Sequence, residues 1–207
     1  MPTELYVLRH GNTFDPGAVP LRIGGRTNLP LSASGREQIQ ALAAHFVQEA
    51  VRFDYVFVSP LLRTRETAAG LFAAMGGEIP AMLPLEFLRE IDYGPDEGQP
   101  EPAVVQRVGV EALKAWDEQG ILHPSWKLDM AGLKKSILQF GTKILTEFAG
   151  KRVLTVTSNG IARFFPVFLL DPARGAEEQR TSYKLKTADY GVLRASSPEE
   201  GFHLVRW

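Results

Sequence analysis

The sequence has no cysteine among its 207 residues, which excludes disulfides, thiolate nucleophiles and thiolate metal ligands and fits a reducing compartment. Neither sign of charge is in excess: 23 basic and 24 acidic residues leave a net charge of −1, which argues against general nucleic-acid binding. No apolar run is long enough to cross a bilayer, and no signal-peptide pattern opens the sequence. We therefore expect a cytoplasmic protein that binds neither nucleic acid nor membranes.

What the sequence does contain is a regular alternation of strand-like and helix-like segments. Strands are predicted at 5–8, 55–58, 82–88 and 153–157, with a hairpin at 191–195 and 202–207. Helices are predicted after caps at Ser34 and Ser59-Pro60, at 104–119 and 133–148, and after Ser158-Asn159-Gly160. The fold class is α/β, a three-layer sandwich with a mostly parallel central sheet and helices on both faces. We expect one domain over 1–207, with a helical insertion at about 99–131.

Arg9-His10-Gly11, 59–65 and 158–163 each follow a predicted strand, so a parallel sheet would bring them to one edge. Arginine is a permanent cation whose fork fits phosphate, and a neutral imidazole can attack phosphorus. Arg63 lies near a helix amino end that already attracts anions, so its charge there calls for a negative partner. A single arginine could simply be solvated. Arg9 and Arg63 together beside His10 favour a phosphate site.

Glu90 is the candidate general acid. The negative field of a bound phosphate favours a protonated carboxyl, and a leaving alcohol needs such a proton donor. Taken alone, Glu90 could equally be a surface acid in a loop. We interpret Asp92 and Glu97 as solvated or structural.

Five segments occur in a fixed order: LRHGNT at 8–13, RIGGRTNLPLSASG at 22–35, SPLLRTRETA at 59–68, LREIDYG at 88–94 and VLTVTSNGIAR at 153–163. Jointly they resemble the histidine phosphatase superfamily, the clan that includes cofactor-dependent phosphoglycerate mutases. Asn28 stands where that family usually has an acid. The resemblance implies a single histidine-phosphatase-like domain.

The resemblance also implies a mechanism. His10 would attack phosphorus to form a phosphohistidine, while Arg9 and Arg63 hold the phosphoryl oxygens. Glu90 would protonate the leaving oxygen and then help water hydrolyse the intermediate. No metal or other cofactor is implied. Further phosphate- or substrate-binding residues would be Asn12, Arg22, Asn159 and Gly160.

Asn159 departs from the pattern, because the family has a second histidine at this position. An amide still donates a hydrogen bond but carries no positive charge. A neutral bond contributes roughly 0.5–1.5 kcal/mol, against about 1.5–3 kcal/mol for a charge-assisted one. If the difference acts wholly in the transition state, the rate falls about tenfold or somewhat more. His45, His123 and His203 are expected to be structural bystanders, although His123 could fold over the edge of the sheet.

The leading hypothesis is a phosphomonoesterase, a phosphoric monoester hydrolase that acts on a small phosphorylated substrate with reduced activity. The alternative is a catalytically impaired pseudoenzyme that binds a phosphorylated metabolite or protein. A phosphoglycerate mutase is less favoured, because the acidic segment 96–102 would repel a doubly charged acid unless Arg107 or Lys114 reaches in. A generic α/β protein with a chance Arg-His-Gly is the last option. Substrate and oligomeric state stay open, with a homodimer among the candidates.

Specificity is expected to lie in the loop 14–26 and the segment 99–131. Trp116 and Trp126 of that segment could line a pocket, although packing in the core is favoured.

Overall fold

The computed structural model describes residues 1–76, 78–170 and 183–207, which form a six-stranded sheet flanked by helices. The strands are β1 (Thr3–Arg9), β2 (Tyr55–Val58), β3 (Met82–Pro84), β4 (Arg152–Thr157), β5 (Tyr190–Ala195) and β6 (His203–Arg206). The helices are α1 (Ala33–Gln48), α2 (Leu62–Met75), α3 (Glu101–Val108), α4 (Val110–Gln119), α5 (Met130–Glu147), α6 (Asn159–Ala162) and α7 (Phe164–Leu169).

The strand order is β3-β2-β4-β1-β5-β6. The first four strands of that order pair in parallel, whereas β5 runs antiparallel to both β1 and β6. The predicted α/β class and mostly parallel sheet are confirmed. Arg9 pairs with Thr157, and Val58 pairs with Val156. The carboxyl ends of β2, β4 and β1 therefore lie side by side, at the edge where the predicted site residues follow.

Alternate residues of β1 build two cores, one on each face of the sheet. Leu5 and Val7 belong to a cluster with residues of α4 and α5, among them Trp116 and Phe140. Tyr6 and Leu8 belong to a second cluster with residues of α1 and α2. Because side chains of a strand alternate between faces, one buried strand anchors both helical layers.

Two helices begin at different residues from those predicted. The cap of α1 is Ser32, whose hydroxyl accepts from Gly35 N, so Ser34 lies inside the first turn. Helix α2 begins at Leu62, two residues after the predicted Ser59-Pro60 start, and Leu61 precedes it without a side-chain cap. Ser34 and Ser59 are of a residue type that commonly caps helices. A cap also requires a particular backbone geometry, which residue type alone does not determine.

Two further predictions need correction. The third strand covers only Met82–Pro84, because the chain then enters the 3₁₀ turn Glu86–Leu88. The helix predicted at 104–119 is two helices, α3 and α4, separated at Gly109, whose positive φ of 88° breaks the helix. The helix predicted at 133–148, the turn at 158–160 and the C-terminal hairpin are confirmed within a few residues.

Candidate active site

His10 directly follows β1 and is 5% exposed. Its backbone N–H donates to Thr157 O at 3.1 Å, which ties it to the end of β4. Its ring Nδ1 lies 2.7 Å from the carbonyl oxygen of Gly11. A carbonyl only accepts, so this bond places the ring proton on Nδ1 and leaves the lone pair on Nε2. The ring nitrogen that carries the lone pair is thereby Nε2.

The charge state of His10 follows from its surroundings. Burial, followed by the positive charges of Arg63 and Arg9, holds the pKa of His10 well below its usual value. The ring is therefore neutral at neutral pH, which is the form that can attack an electrophile.

Arg63 lies in the first turn of α2 and is fully buried. Its Nε donates to His10 Nε2 at 3.2 Å. The other guanidinium nitrogens donate to the carbonyls of Thr27 at 2.8 Å and Gly24 at 3.2 Å, and to Ser158 Oγ at 3.4 Å. The ends of β1 and β4 and the loop 24–27 thus converge on one cation that contacts Nε2 of His10.

Arg9 presents a second cation at the same edge. Its Nη1 donates to the carbonyl of Leu185 at 2.6 Å. Its buried Nε has no hydrogen-bond acceptor within the parts of the chain that the structure describes. Burial lowers the pKa of Arg9, and the nearby Glu90 carboxylate opposes that shift. A donor of this kind is suited to an anion that enters the site.

Glu90 is 7% exposed and is held by two backbone N–H groups. Oε1 accepts from Ile91 N at 2.9 Å, and Oε2 accepts from Gly160 N at 3.0 Å. A Cβ on residue 160 would stand 2.1 Å from Oε1, so only glycine permits this approach. The carboxylate is therefore fixed directly over the Asn159–Gly160 turn.

Asn159 is the first residue of α6, at the end of β4. Its Oδ1 accepts from Leu185 N at 2.9 Å, so the donor that the side chain can offer to a ligand is Nδ2. Leu185 thus contacts Asn159 through its N–H and Arg9 through its carbonyl.

The side chains of Asn12 and Arg22 contact residues other than His10, Arg9, Arg63, Glu90 and Asn159. Asn12 Nδ2 donates to Ser34 Oγ at 3.4 Å, on α1. Arg22 Nη2 donates to Glu101 Oε2 at 2.7 Å, and its guanidinium lies over the rings of Tyr93 and Trp126 at 5.1 and 5.4 Å. Of the predicted site residues, the structure brings His10, Arg9, Arg63, Glu90, Asn159 and Gly160 together at the sheet edge.

The acidic segment 96–102 does not present a set of uncompensated charges, because Arg107, one of the two cations named for this in the sequence, reaches it. Asp96 is buried and ion-paired with Arg107, and it also accepts from Trp126 Nε1 at 2.6 Å. Glu101 pairs with Arg22 at 2.7 Å. Burial alone would raise the pKa of Asp96, but the hydrogen bonds from Arg107 and Trp126 hold it below its usual value. Charge repulsion between this segment and a doubly charged substrate is therefore weak.

Residues weighed as secondary candidates take structural positions. Glu97 accepts from the backbone N–H of Arg26 at 2.6 Å and from the Thr27 hydroxyl at 2.9 Å. Asp92 accepts from Arg26 Nε at 2.9 Å. Trp116 and Trp126 are buried in the core cluster, as favoured.

One residue of the site was missed in the sequence, where it marked only the end of a motif. Arg163 is 4% exposed; its Nε donates to the Asn159 carbonyl at 3.3 Å, and its guanidinium lies 4.2 Å from the Trp116 ring centroid. Local pattern gives no signal for this role, because Trp116 lies 47 residues away in the chain.

Among the residues that the structure describes, no group of three or more histidine or carboxylate side chains could hold a metal ion. Within the same ranges, no helix combines the length and apolarity needed to cross a membrane.

The model of the family "Histidine phosphatase superfamily (branch 1)" matches residues 5–207. A curated relative, a 2,3-bisphosphoglycerate-dependent phosphoglycerate mutase from Rhizobium etli, is 23% identical over 166 residues, covering 78% of this chain and 77% of that protein. A phosphoglycerate mutase structure from Bacillus anthracis superposes with a TM-score of 0.77 at 19% identity, over 100% of this chain and 92% of that one. The structure of a mycobacterial glucosyl-3-phosphoglycerate phosphatase with VO₃ superposes with a TM-score of 0.76 at 21% identity, over 99% of this chain and 98% of that one.

Proposed function

Because this chain belongs to the histidine phosphatase superfamily, branch 1, we propose that it is a phosphomonoesterase that hydrolyses a small phosphorylated substrate through a phosphohistidine on His10. The observation that carries the proposal is the 3.2 Å contact between Arg63 Nε and His10 Nε2. It sets a permanent cation beside the lone pair of a ring that burial keeps neutral. The proposed nucleophile and a cation that can stabilise the charge of a phosphoryl group are thus in contact in one buried site.

In the first step, His10 Nε2 forms a bond to phosphorus, and the bond from phosphorus to the ester oxygen breaks. Glu90 transfers a proton to that oxygen, so the alcohol leaves neutral. Arg9 and Arg63 stabilise the charge on the phosphoryl oxygens. The products are the alcohol and phosphorylated His10.

In the second step, Glu90 accepts a proton from water, and the water oxygen attacks phosphorus. The bond from phosphorus to Nε2 breaks and inorganic phosphate leaves. Asn159 donates from Nδ2 to a phosphoryl oxygen, as a neutral partner. We expect catalysis about tenfold slower than with a cationic partner at position 159.

A phosphoglycerate mutase is the second candidate, favoured by the curated relative described above. A mutase returns the phosphoryl group to a hydroxyl of the substrate, whereas a phosphatase passes it to water. Arg107, the cation suggested for a doubly charged substrate, is committed to Asp96. This commitment favours the phosphatase.

The test is turnover of 4-nitrophenyl phosphate at mildly acidic pH by the wild type, His10→Ala and Asn159→His. We expect measurable wild-type turnover, none in His10→Ala and about a tenfold rise in Asn159→His. A protonated histidine at 159 offers the cation that asparagine lacks, although it gives up the bond from Leu185 N–H, because both ring nitrogens of an imidazolium are donors.

Arg152→Gln is the matched control, because Arg152 pairs with Glu4 at the opposite end of β4. A wild-type rate no higher than that of His10→Ala would refute the proposed phosphomonoesterase activity. The alternative, a pseudoenzyme that binds a phosphorylated ligand, would then be favoured. Labelled phosphate retained on the wild type and absent from His10→Ala after an alkaline quench would identify the phosphohistidine. With a phosphoglycerate substrate, release of inorganic phosphate distinguishes the phosphatase from the mutase.

A further inference from the structure

The peptide unit between Asn159 and Gly160 lies between two charged side chains. Its N–H donates to Glu90 Oε2 at 3.0 Å, and its carbonyl accepts from Arg163 Nε at 3.3 Å. One planar group therefore connects the candidate general acid to a buried cation. A hydrogen bond from a cation to the carbonyl polarises the peptide and strengthens the bond that its N–H donates.

The position of Arg163 is set by α4, in the 99–131 segment. Its Nη1 donates to the Trp116 carbonyl, and its guanidinium lies 4.2 Å from the Trp116 ring centroid. Asp117 Oδ1 is 3.9 Å from Nη2. A guanidinium that is held by a ring, two carbonyls and a carboxylate has little freedom to turn, so it fixes the peptide plane that it contacts.

Glu90 depends on that plane. The carboxylate has two backbone donors, Ile91 N and Gly160 N, and the second lies on α6 rather than on the loop of Glu90 itself. Burial lowers the pKa of Arg163, while Tyr93, Glu90 and Asp117 oppose that shift, so Arg163 and Glu90 are within electrostatic reach. Tilting the 159–160 peptide would move one of the two contacts that aim the carboxylate.

Resting on the proposed phosphatase function, we propose that Arg163 is a positioning residue for Glu90, acting through the Asn159–Gly160 peptide. Through Trp116 it also couples the 99–131 segment to the proton donor. Arg163 does not touch the phosphoryl group in this role. Its loss impairs the transfer of a proton to the leaving oxygen and leaves the nucleophile and the phosphate cations in place.

The leaving group provides the test. Release of 4-nitrophenolate needs little protonation, whereas release of glycerol from glycerol 2-phosphate needs a proton. For Arg163→Gln we expect kcat/KM to fall about tenfold to a hundredfold on glycerol 2-phosphate and less than about threefold on 4-nitrophenyl phosphate. The ratio of the two values does not change with the fraction of folded enzyme.

Arg163→Lys keeps the charge but lacks the fork that reaches two carbonyls, so it should give an intermediate ratio and serves if Arg163→Gln does not fold. In a Glu90→Gln background, Arg163→Gln should change the ratio no further, because the acid it positions is gone. Arg152→Gln should leave the ratio unchanged.

Equal losses on both substrates in the Arg163 variants would overturn the positioning role, as would a further change of ratio in the Glu90→Gln background. A wild type inactive on both substrates would instead refute the proposed phosphatase.

Discussion

At the scale of single residues, Arg63 is a buried cation whose hydrogen bonds all go to neutral acceptors among the residues described here. They are His10 Nε2, two carbonyls and a serine hydroxyl. A buried charge without a close counter-ion is costly, even with its hydrogen bonds made. We therefore expect a ligand to supply an anion at this site.

His10 gives a prediction about stability and pH. Burial, with Arg63 and Arg9, lowers the pKa of His10 in the folded protein, while the unfolded chain titrates near 6.5. Below that pH the unfolded state binds one more proton, so the free energy of unfolding should decrease as the pH falls from 6.5. In His10→Asn this part of the decrease should vanish, as measured by urea unfolding across the acidic range.

His203→Asn is the control for that measurement, because His203 is exposed on β6. It should keep the wild-type pH dependence. If His10→Asn kept it too, His10 would not be the buried neutral group described here.

At the scale of elements, the 3₁₀ turn Gly94–Asp96 is the anchor of the 99–131 segment. Asp96 bonds Arg107 of α3 and the indole of Trp126, and Trp126 packs against Trp116 of α4 with ring centroids 5.8 Å apart. One buried carboxylate thus joins the loop that follows Glu90 to both helices. Helix α4 carries the Trp116 carbonyl that accepts a hydrogen bond from Arg163.

Asp96→Asn should lower the free energy of unfolding by about 1.5–3 kcal/mol, because it removes the charged acceptor from Arg107. Denaturant unfolding measures this. Glu147→Gln makes the same chemical change in the exposed Lys143–Glu147 pair of α5, where we expect less than about 0.5 kcal/mol. Equal costs for the two substitutions would contradict the anchoring role of Asp96.

At the scale of the whole molecule, a ligand that binds the folded state must raise its stability. Vanadate or phosphate at about a hundred times its Kd should add about 2.7 kcal/mol, which for a chain of this size raises Tm by roughly 5–10 °C. The shift should be largely lost in Arg63→Gln and kept in Arg152→Gln, as measured by thermal unfolding with and without the anion. A full shift in Arg63→Gln would place the anion elsewhere.

The sequence by itself determined the α/β class, most of the strands and helices in their order along the chain, and the motif residues that follow the strands. These follow from interactions that are local in the chain, namely hydrophobic period, turn residues and caps. The same local patterns gave the wrong first residue for two helices. Helix α1 is capped by Ser32 and not by Ser34, and α2 begins two residues after the position that Ser59-Pro60 indicates.

Only the tertiary structure decided which groups meet. Glu90 contacts Gly160, 70 residues away in the chain, and Asn159 contacts Leu185, 26 residues away. The acidic segment 96–102 has arginine partners that its own sequence does not indicate. Such pairings depend on how the chain is folded back on itself, and no local pattern encodes them. For that reason His10 could be recognised from its motif, whereas Arg163 required the fold.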